Sequence, residues 1–479
     1  MTSWRTTLGS ALAVALLGCA PLQGGAPGAA RGVEAAPDAA TDAAVARALE
    51  GASFNGAIVL TRRGQVVYSR GFGLADREAQ RAFTPQTPAD GASLAKTFTA
   101  AAVHLLVAEG RLSLDDLATK YLPGFPHPTT RLRHLIGHSD GLPDYDVFNA
   151  SIPVGKLRTA EMMLRELAAS GAAPAFVPGT RFEYSNLGFD VAALIVERVT
   201  GQRFEAYVRD KFFAPLGFEH SFGRPAFFAD WPSPRTIGYR QREGQWQRHE
   251  VVDGEDFLGA SNFYFSATDL SRWAMAFAQG RLPAPVLRAA TATARLDDGR
   301  VSGVTLGSWY CYADGQRCQY SGSHNAFYSV VHWDQQRNET VAFVSTHTLA
   351  PWLCARLARE LIAAAAGQTP PPRDNSTLQR TTRDALPTLA GSYRSPTLGV
   401  IEISAPQPGR LQWRDKSGLE QSAFRVTTEV FYVPGLDLWF GFSGGAMVIR
   451  SMQGDERAER LAAQLRPDIP NTQDLRRAS

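Results

Sequence analysis

Three short stretches of the chain carry residue types that could do nucleophilic chemistry together. In GASLAKTFTAAAVHLLVAEG (91–110), apolar residues recur at helical spacing from Leu94, and Gly110 is placed to end the helix. Ser93 then stands at the helix N-terminus with Lys96 one turn on, so the two side chains share a face. A serine hydroxyl is a poor nucleophile until a base takes its proton. A neutral lysine can be that base if burial or nearby cations lower the usual lysine pKa of ~10.4. The helix N-terminus adds its positive end and backbone N–H groups that can hold an oxyanion. Lysine occurs only at positions 96, 120, 156, 211 and 416, and only Lys96 has a serine three residues before it. In FVPGTRFEYSNLGFDVAALIVERVTG (176–201), Tyr184-Ser185-Asn186 precedes an amphipathic helix, offering a phenol for proton transfer and an amide to hold substrate or the lysine. Tyr320-Ser321-Gly322-Ser323 lies in a β-prone run, where a glycine lets substrate approach the backbone and the Ser323 N–H could join that of Ser93 in an oxyanion hole. Each stretch alone also reads as a cap, a loop or a turn.

Taken in order, Ser-x-x-Lys, Tyr-x-Asn and a strand-borne x-Ser-Gly resemble the three motifs of the serine β-lactamase and penicillin-binding-protein superfamily. The tyrosine of the second motif points to its class C β-lactamase, DD-peptidase and esterase branch. EGRLSLDDLATKYLPGFP (109–126) and RLRHLIGHSDGLPDY (131–145) also resemble stretches of that branch, and the likeness runs over roughly residues 51–365. The resemblance implies an α+β fold: an α/β/α sandwich around an antiparallel sheet, with an all-helical subregion. It implies Ser93 as acylated nucleophile, Lys96 and Tyr184 sharing general-base and general-acid work, and Asn186 orienting the substrate amide or Lys96. Which of Lys96 and Tyr184 takes the first proton stays open, since the pair can titrate as a unit. No cofactor or metal is expected.

The chain departs from that pattern at Tyr320, where relatives usually carry Lys or His. A neutral phenol cannot pair with a substrate carboxylate as a cation does. The expectation is therefore a serine hydrolase acting through an acyl-enzyme on an ester or amide of a neutral small molecule or peptide derivative. Two alternatives stand beside it: a DD-peptidase or β-lactamase whose cation comes from an arginine elsewhere, and a non-catalytic cell-envelope binding module. A second departure lies at Ser261-Asn262, where the family usually has Gly-Gly.

Two other patterns are set aside. GHSDG (137–141) fits the Gly-x-Ser-x-Gly nucleophile elbow, but LRHLI before it reads as a helix and GLPDY after it as a turn, so Ser139 is read as structural. His134 and His138 have a zinc-like spacing, yet the Glu of His-Glu-x-x-His is Leu135 and no third ligand is evident.

The elements that must position these residues follow from the rest of the chain. An apolar share of 44% over 479 residues and a net charge of +3 describe a globular chain with room for two or more cores. No basic block points to nucleic acid, and the oligomeric state is left open. Residues 1–19 read as an export signal whose Leu16-Leu17-Gly18-Cys19 resembles the lipobox of bacterial lipoproteins. Cys19 is then a lipidation site and the protein is anchored to a bacterial membrane, facing the periplasm or the cell surface, with the outer membrane favoured because Ala20 rather than Asp follows; an ordinary cleaved signal is the other reading. Residues 20–42 read as an Ala/Pro/Gly tether, 43–366 as the hydrolase domain, 367–386 as a linker, 387–465 as a small β-rich domain and 466–479 as a polar tail. GAIVLTRRGQVVYSRGFG (56–73) reads as a hairpin about an Arg-Gly turn, and 350–366 as a helix.

Cys311 and Cys318 flank Asp314-Gly315, and a two-residue turn there sets them opposite each other, within disulfide range. A metal pair would need further ligands, and a redox pair would favour Cys-x-x-Cys. In an exported chain a disulfide is expected over two free thiols, bracing the strand that carries Tyr320.

Overall fold

A computed structural model describes residues 39–461, apart from 51–53, 144–155, 243–244, 251–252, 258, 262, 312–314, 347–350, 369–384, 397–398, 408–409, 415–419, 426–430, 434–437 and 452–453. The export signal, Cys19, Asn262, Asp314 and most of the linker lie outside these residues.

The first described element is a helix, α1 (Ala39–Leu49), which begins inside the segment expected to be tether. Alanine favours helix, but an 11-residue helix needs tertiary packing to persist. Val45 and Ala48 supply it by entering a core shared with Ile58, Leu60, Leu357 and Leu361. The hairpin follows as β1 (Gly56–Arg62) and β2 (Gln65–Phe72). Arg63 and Gly64 between them have φ of 52° and 73°, the left-handed pair that a tight two-residue hairpin turn requires.

The helical region contains α2 (Ala95–Ala108), α3 (Leu132–Ile136), α4 (Ala160–Ser170) and α5 (Leu187–Thr200). Beyond it come α6 (Ala267–Ala278), the strands β3 (Tyr310–Cys311), β4 (Arg317–His324), β5 (Phe327–Asp334) and β6 (Glu339–Ser345), and helix α7 (Pro351–Ala365). The strands form one antiparallel sheet in the order β3-β4-β5-β6-β1-β2. Every residue of β5 is buried because both faces of the sheet are covered. Alternation then divides its side chains: Tyr328 and Val330 join the α1/α7 core, while Phe327, Val331 and Trp333 join the core of α2, α5 and α6. This is the expected helix–sheet–helix sandwich with a helical subregion. Phe98 of α2 stacks on Trp273 of α6 at 4.1 Å, which fixes where the N-terminus of α2 meets the sheet.

Cys311 and Cys318 are paired across β3 and β4 and are joined by a disulfide, with Cα atoms 4.0 Å apart. That is nearer the spacing of a non-hydrogen-bonded antiparallel pair than the wider ~5.5 Å of a hydrogen-bonded one. After residue 385 a short turn, Leu386–Leu389, leads into a closed barrel of eight strands from Gly391–Ser395 to Gly454–Arg460. Its interior is filled by its own core, including Tyr393, Trp413, Phe431 and Phe440.

Candidate active site

The three motifs meet where α2, α5 and β4 converge. Ser93 sits on a single 3₁₀ turn, Ala92–Leu94, that runs directly into α2. Ala92 before it has φ of 47°, a left-handed conformation that non-glycine residues rarely adopt. It is held there by Asp90, whose Oδ1 accepts the Ala92 N–H at 2.7 Å. Burial would raise the Asp90 carboxyl, but a 3.1 Å contact to His324 Nδ1, the charges of His324 and Arg224, and the Ala92 bond outweigh it and hold the group below the ordinary carboxylate range. His324, through Asp90, thus clamps the turn that presents the nucleophile.

Lys96 is completely buried. Its Nζ donates to Ser93 Oγ at 3.2 Å, to Asn186 Oδ1 at 2.8 Å and to the Ala260 carbonyl at 2.9 Å. Three neutral acceptors match the three donors of an ammonium. Asn186 is the N-cap residue of α5, yet its side chain makes no cap bond. Ser185 caps in its place, taking the Gly188 N–H at 3.0 Å, while Asn186 Oδ1 accepts from the lysine. Ala260 is fixed by Asp190, one turn into α5, whose Oδ1 accepts the N–H groups of Gly259 and Ala260 at 2.8 and 2.9 Å. The sequence signals for Asn186 were plain; Asp190 was missed, because its partners lie some seventy residues away in a loop without periodicity.

Tyr184 stands on the other side of the nucleophile, 41% exposed, with its hydroxyl donating to Ser93 Oγ at 2.7 Å. The Lys96 ammonium lies 5.0 Å from the centre of the same ring. Ser93 Oγ therefore accepts from both Lys96 and Tyr184, the two groups expected to exchange its proton.

The third motif closes the site from the sheet. Strand β4 passes Ser93 at Gly322, where an added Cβ would fall onto the Gly91 carbonyl and lie 2.9 Å from Ser93 N. Only glycine allows this approach. Ser323, the next residue along the strand, is exposed. Tyr320 is 1% exposed, stacked on Tyr310 at 5.6 Å, and its hydroxyl approaches Tyr184 and Ser308 without hydrogen bonding to either. Burial, with Tyr184 and Tyr310 adding to it, keeps this phenol protonated well above its ordinary range.

The two set-aside patterns also have places. Ser139 is buried, with its N–H given to the His134 carbonyl and its own carbonyl accepting from Gly179 N–H. His134 contacts Asp297 at 3.1 Å through Nε2 and accepts the Arg131 N–H, whereas His138 faces Ser185, so the two imidazoles share no ion. Among the described residues no cluster of three His, Cys, Asp or Glu side chains is close enough to hold a metal.

The chain has relatives among known proteins. Residues 39–366 match the family model described as Beta-lactamase. Penicillin-binding protein 4* of Bacillus subtilis (strain 168) is 31% identical over 169 residues, which are 35% of this chain and 38% of that protein. The putative penicillin-binding protein PbpX of the same organism is 28% identical over 235 residues, 49% of this chain and 57% of that one. The chain thus matches between about two fifths and three fifths of the length of these curated relatives. Among solved structures, the octameric penicillin-binding protein homologue from Pyrococcus abyssi shares the fold with a TM-score of 0.58 at 20% identity, over 87% of this chain and 99% of that one.

Proposed function

The chain belongs to the Beta-lactamase family, and from that premise we propose that it is a serine hydrolase that forms an acyl-enzyme at Ser93 and acts on neutral esters or amides. The observation that carries this reading is the convergence of Lys96 Nζ and Tyr184 OH on one oxygen, Ser93 Oγ. In the acylation step the Lys96–Tyr184 pair acts after losing one proton to solvent; Ser93 Oγ attacks the substrate carbonyl as its own proton passes to the site so vacated on the pair. The carbonyl oxygen gains negative charge, for which the N–H groups of Ser93 and Ser323 are the donors. Tyr184, the exposed member of the pair, returns the proton to the leaving alcohol or amine as the carbonyl–leaving group bond breaks. Water then attacks the acyl ester with the same pair taking its proton, and Ser93 is restored with its hydrogen.

The preference for neutral substrates rests on Tyr320, a buried phenol that supplies no charge-assisted bond to a carboxylate. A second reading is favoured by the names of the relatives: two are penicillin-binding proteins, whose ligand carries a carboxylate. A fluorophosphonate probe should label wild type and not Ser93→Ala; absence of labelling in both would leave a non-catalytic binding module. Neutral esters, D-amino-acid amides and nitrocefin assayed side by side decide substrate class, and efficient nitrocefin hydrolysis would replace the first reading by the second. Anchoring through a lipid on Cys19, at the membrane of a bacterial envelope, is part of the same proposal and rests on the lipobox-like run alone.

A further inference from the structure

The turn that imitates a nucleophile elbow, Gly137–Gly141, lies directly beneath the second motif. His138 has φ of 55° and is fully buried. Its ring lies parallel to that of Tyr184, with centroids 4.5 Å apart and planes 22° from each other, and it also packs on Phe189 at 4.9 Å. Both chain neighbours of Tyr184 hang on this one residue. Glu183 N–H donates to the His138 carbonyl at 2.8 Å, and Ser185 N–H donates to His138 Nδ1 at 3.0 Å. A nitrogen that accepts carries no proton, so the imidazole is neutral with its hydrogen on Nε2, which is buried without a partner. That orphaned N–H costs stability, and together with the left-handed backbone it marks a residue kept in place against local preference.

We propose that His138 is a positioning residue for the proton relay: its ring supplies the shelf on which the Tyr184 ring rests, so that the phenol meets Ser93 Oγ. The proposal rests on the serine-hydrolase reading of the same site. The ionisable groups around His138 are Lys96 from α2, Tyr184 and Glu183 from the loop above and Asp140 from its own turn. Burial first, then the Lys96 charge, pushes His138 down to about 3, in keeping with an imidazole that stays neutral while the relay works.

Two substitutions separate shelf from scaffold. His138→Phe keeps a ring, and His138→Gln keeps an acceptor but no ring. The expected result is that His138→Gln lowers kcat for a neutral ester and the rate of fluorophosphonate labelling by about tenfold or more. KM should stay near wild type and the pH midpoint of labelling should move. His138→Phe should restore rate and midpoint to within about threefold of wild type. In a Tyr184→Phe background, His138→Gln should have no further effect, as a double-mutant cycle requires of residues acting through one another. The proposal is overturned by a His138→Gln protein that folds and matches wild type in rate and profile, by equal slowing in both variants with an unmoved profile, or by additive losses in the cycle. If wild type itself is not labelled, the hydrolase reading fails separately. The positioning is then read from the near-ultraviolet titration of Tyr184, taken as the difference from Tyr184→Phe; His138→Gln should shift it and His138→Phe should not, and an unshifted titration in His138→Gln overturns the proposal.

Discussion

Asp90 and Asp140 are both inside the protein, 3% and 0% exposed, and burial acting alone would raise both carboxyls. At Asp90 the bonds and charges from His324, Arg224 and Ala92 reverse that effect. No cation lowers Asp140 among the described residues. One oxygen accepts from Leu142 N–H and Ser185 Oγ, the other has no partner, and burial lifts the group to about 7. In the unfolded chain the same carboxyl titrates near 3.9. Between those values the folded protein holds a proton that the unfolded chain has lost, so this contribution to stability is fully present below about pH 4 and is lost as pH rises through about 7. The whole effect is at most about 4 kcal/mol. Asp140→Asn should flatten the fall in melting temperature between pH 5.5 and 8 relative to wild type, and parallel melting curves across that range would count against the protonated carboxyl. The composition of the site was readable from sequence at this scale: Ser93, Lys96, Tyr184 and Asn186 stand in short motifs whose spacing survives folding. The supports were not. His138 and Tyr184, or Asp190 and Ala260, are far apart in the chain, and no local period links a turn to the ring it carries.

At the scale of elements the site depends on how β4 is seated. The strand is tied to β3 by Cys311–Cys318 at one end and pressed against the Gly91–Ser93 turn at Gly322. Ser329 of β5 fastens the same turn by donating its hydroxyl to the Gly91 carbonyl at 2.8 Å. Gly322→Ala places a methyl on that carbonyl, and either the strand or the turn must move. Because losing one oxyanion donor costs about 10²–10³ in rate, labelling of Ser93 should fall by about a hundredfold or more while circular dichroism stays that of a folded protein. Labelling at the wild-type rate would show that β4 does not carry the oxyanion donor. The cysteine pairing was legible because an Asp-Gly turn sets register within a few residues. Helix α1 was not: an Ala-rich run beside a Pro/Gly-rich one has the composition of a tether, and only the distant partners β1 and α7 make it a packed helix.

Over the whole molecule, the proposed site residues lie between Ser93 and Ser323, with α1 before them and the C-terminal barrel after them. The C-terminal barrel has no free sheet edge, and eight strands enclose little more than the side chains that fill it. Most of its strands could be read as short β-prone runs, but the one that closes it, Gly454–Arg460, could not. In GDERAER the exposed Arg457 and Glu459 flank the buried Ala458, so a single alanine carries the inward pattern. At the other end, α1 begins at Ala39, which leaves the residues from Cys19 to that helix as the length of any tether. The proposed lipid on Cys19 would set location and leave the chemistry alone, since every proposed catalytic side chain lies beyond α1. Cys19→Ser should move the protein from the membrane pellet to the soluble fraction of fractionated cells, with kcat/KM for a soluble ester within about twofold of wild type. A Cys19→Ser protein that still sediments with membranes would mean that something other than a lipid on this cysteine holds it there.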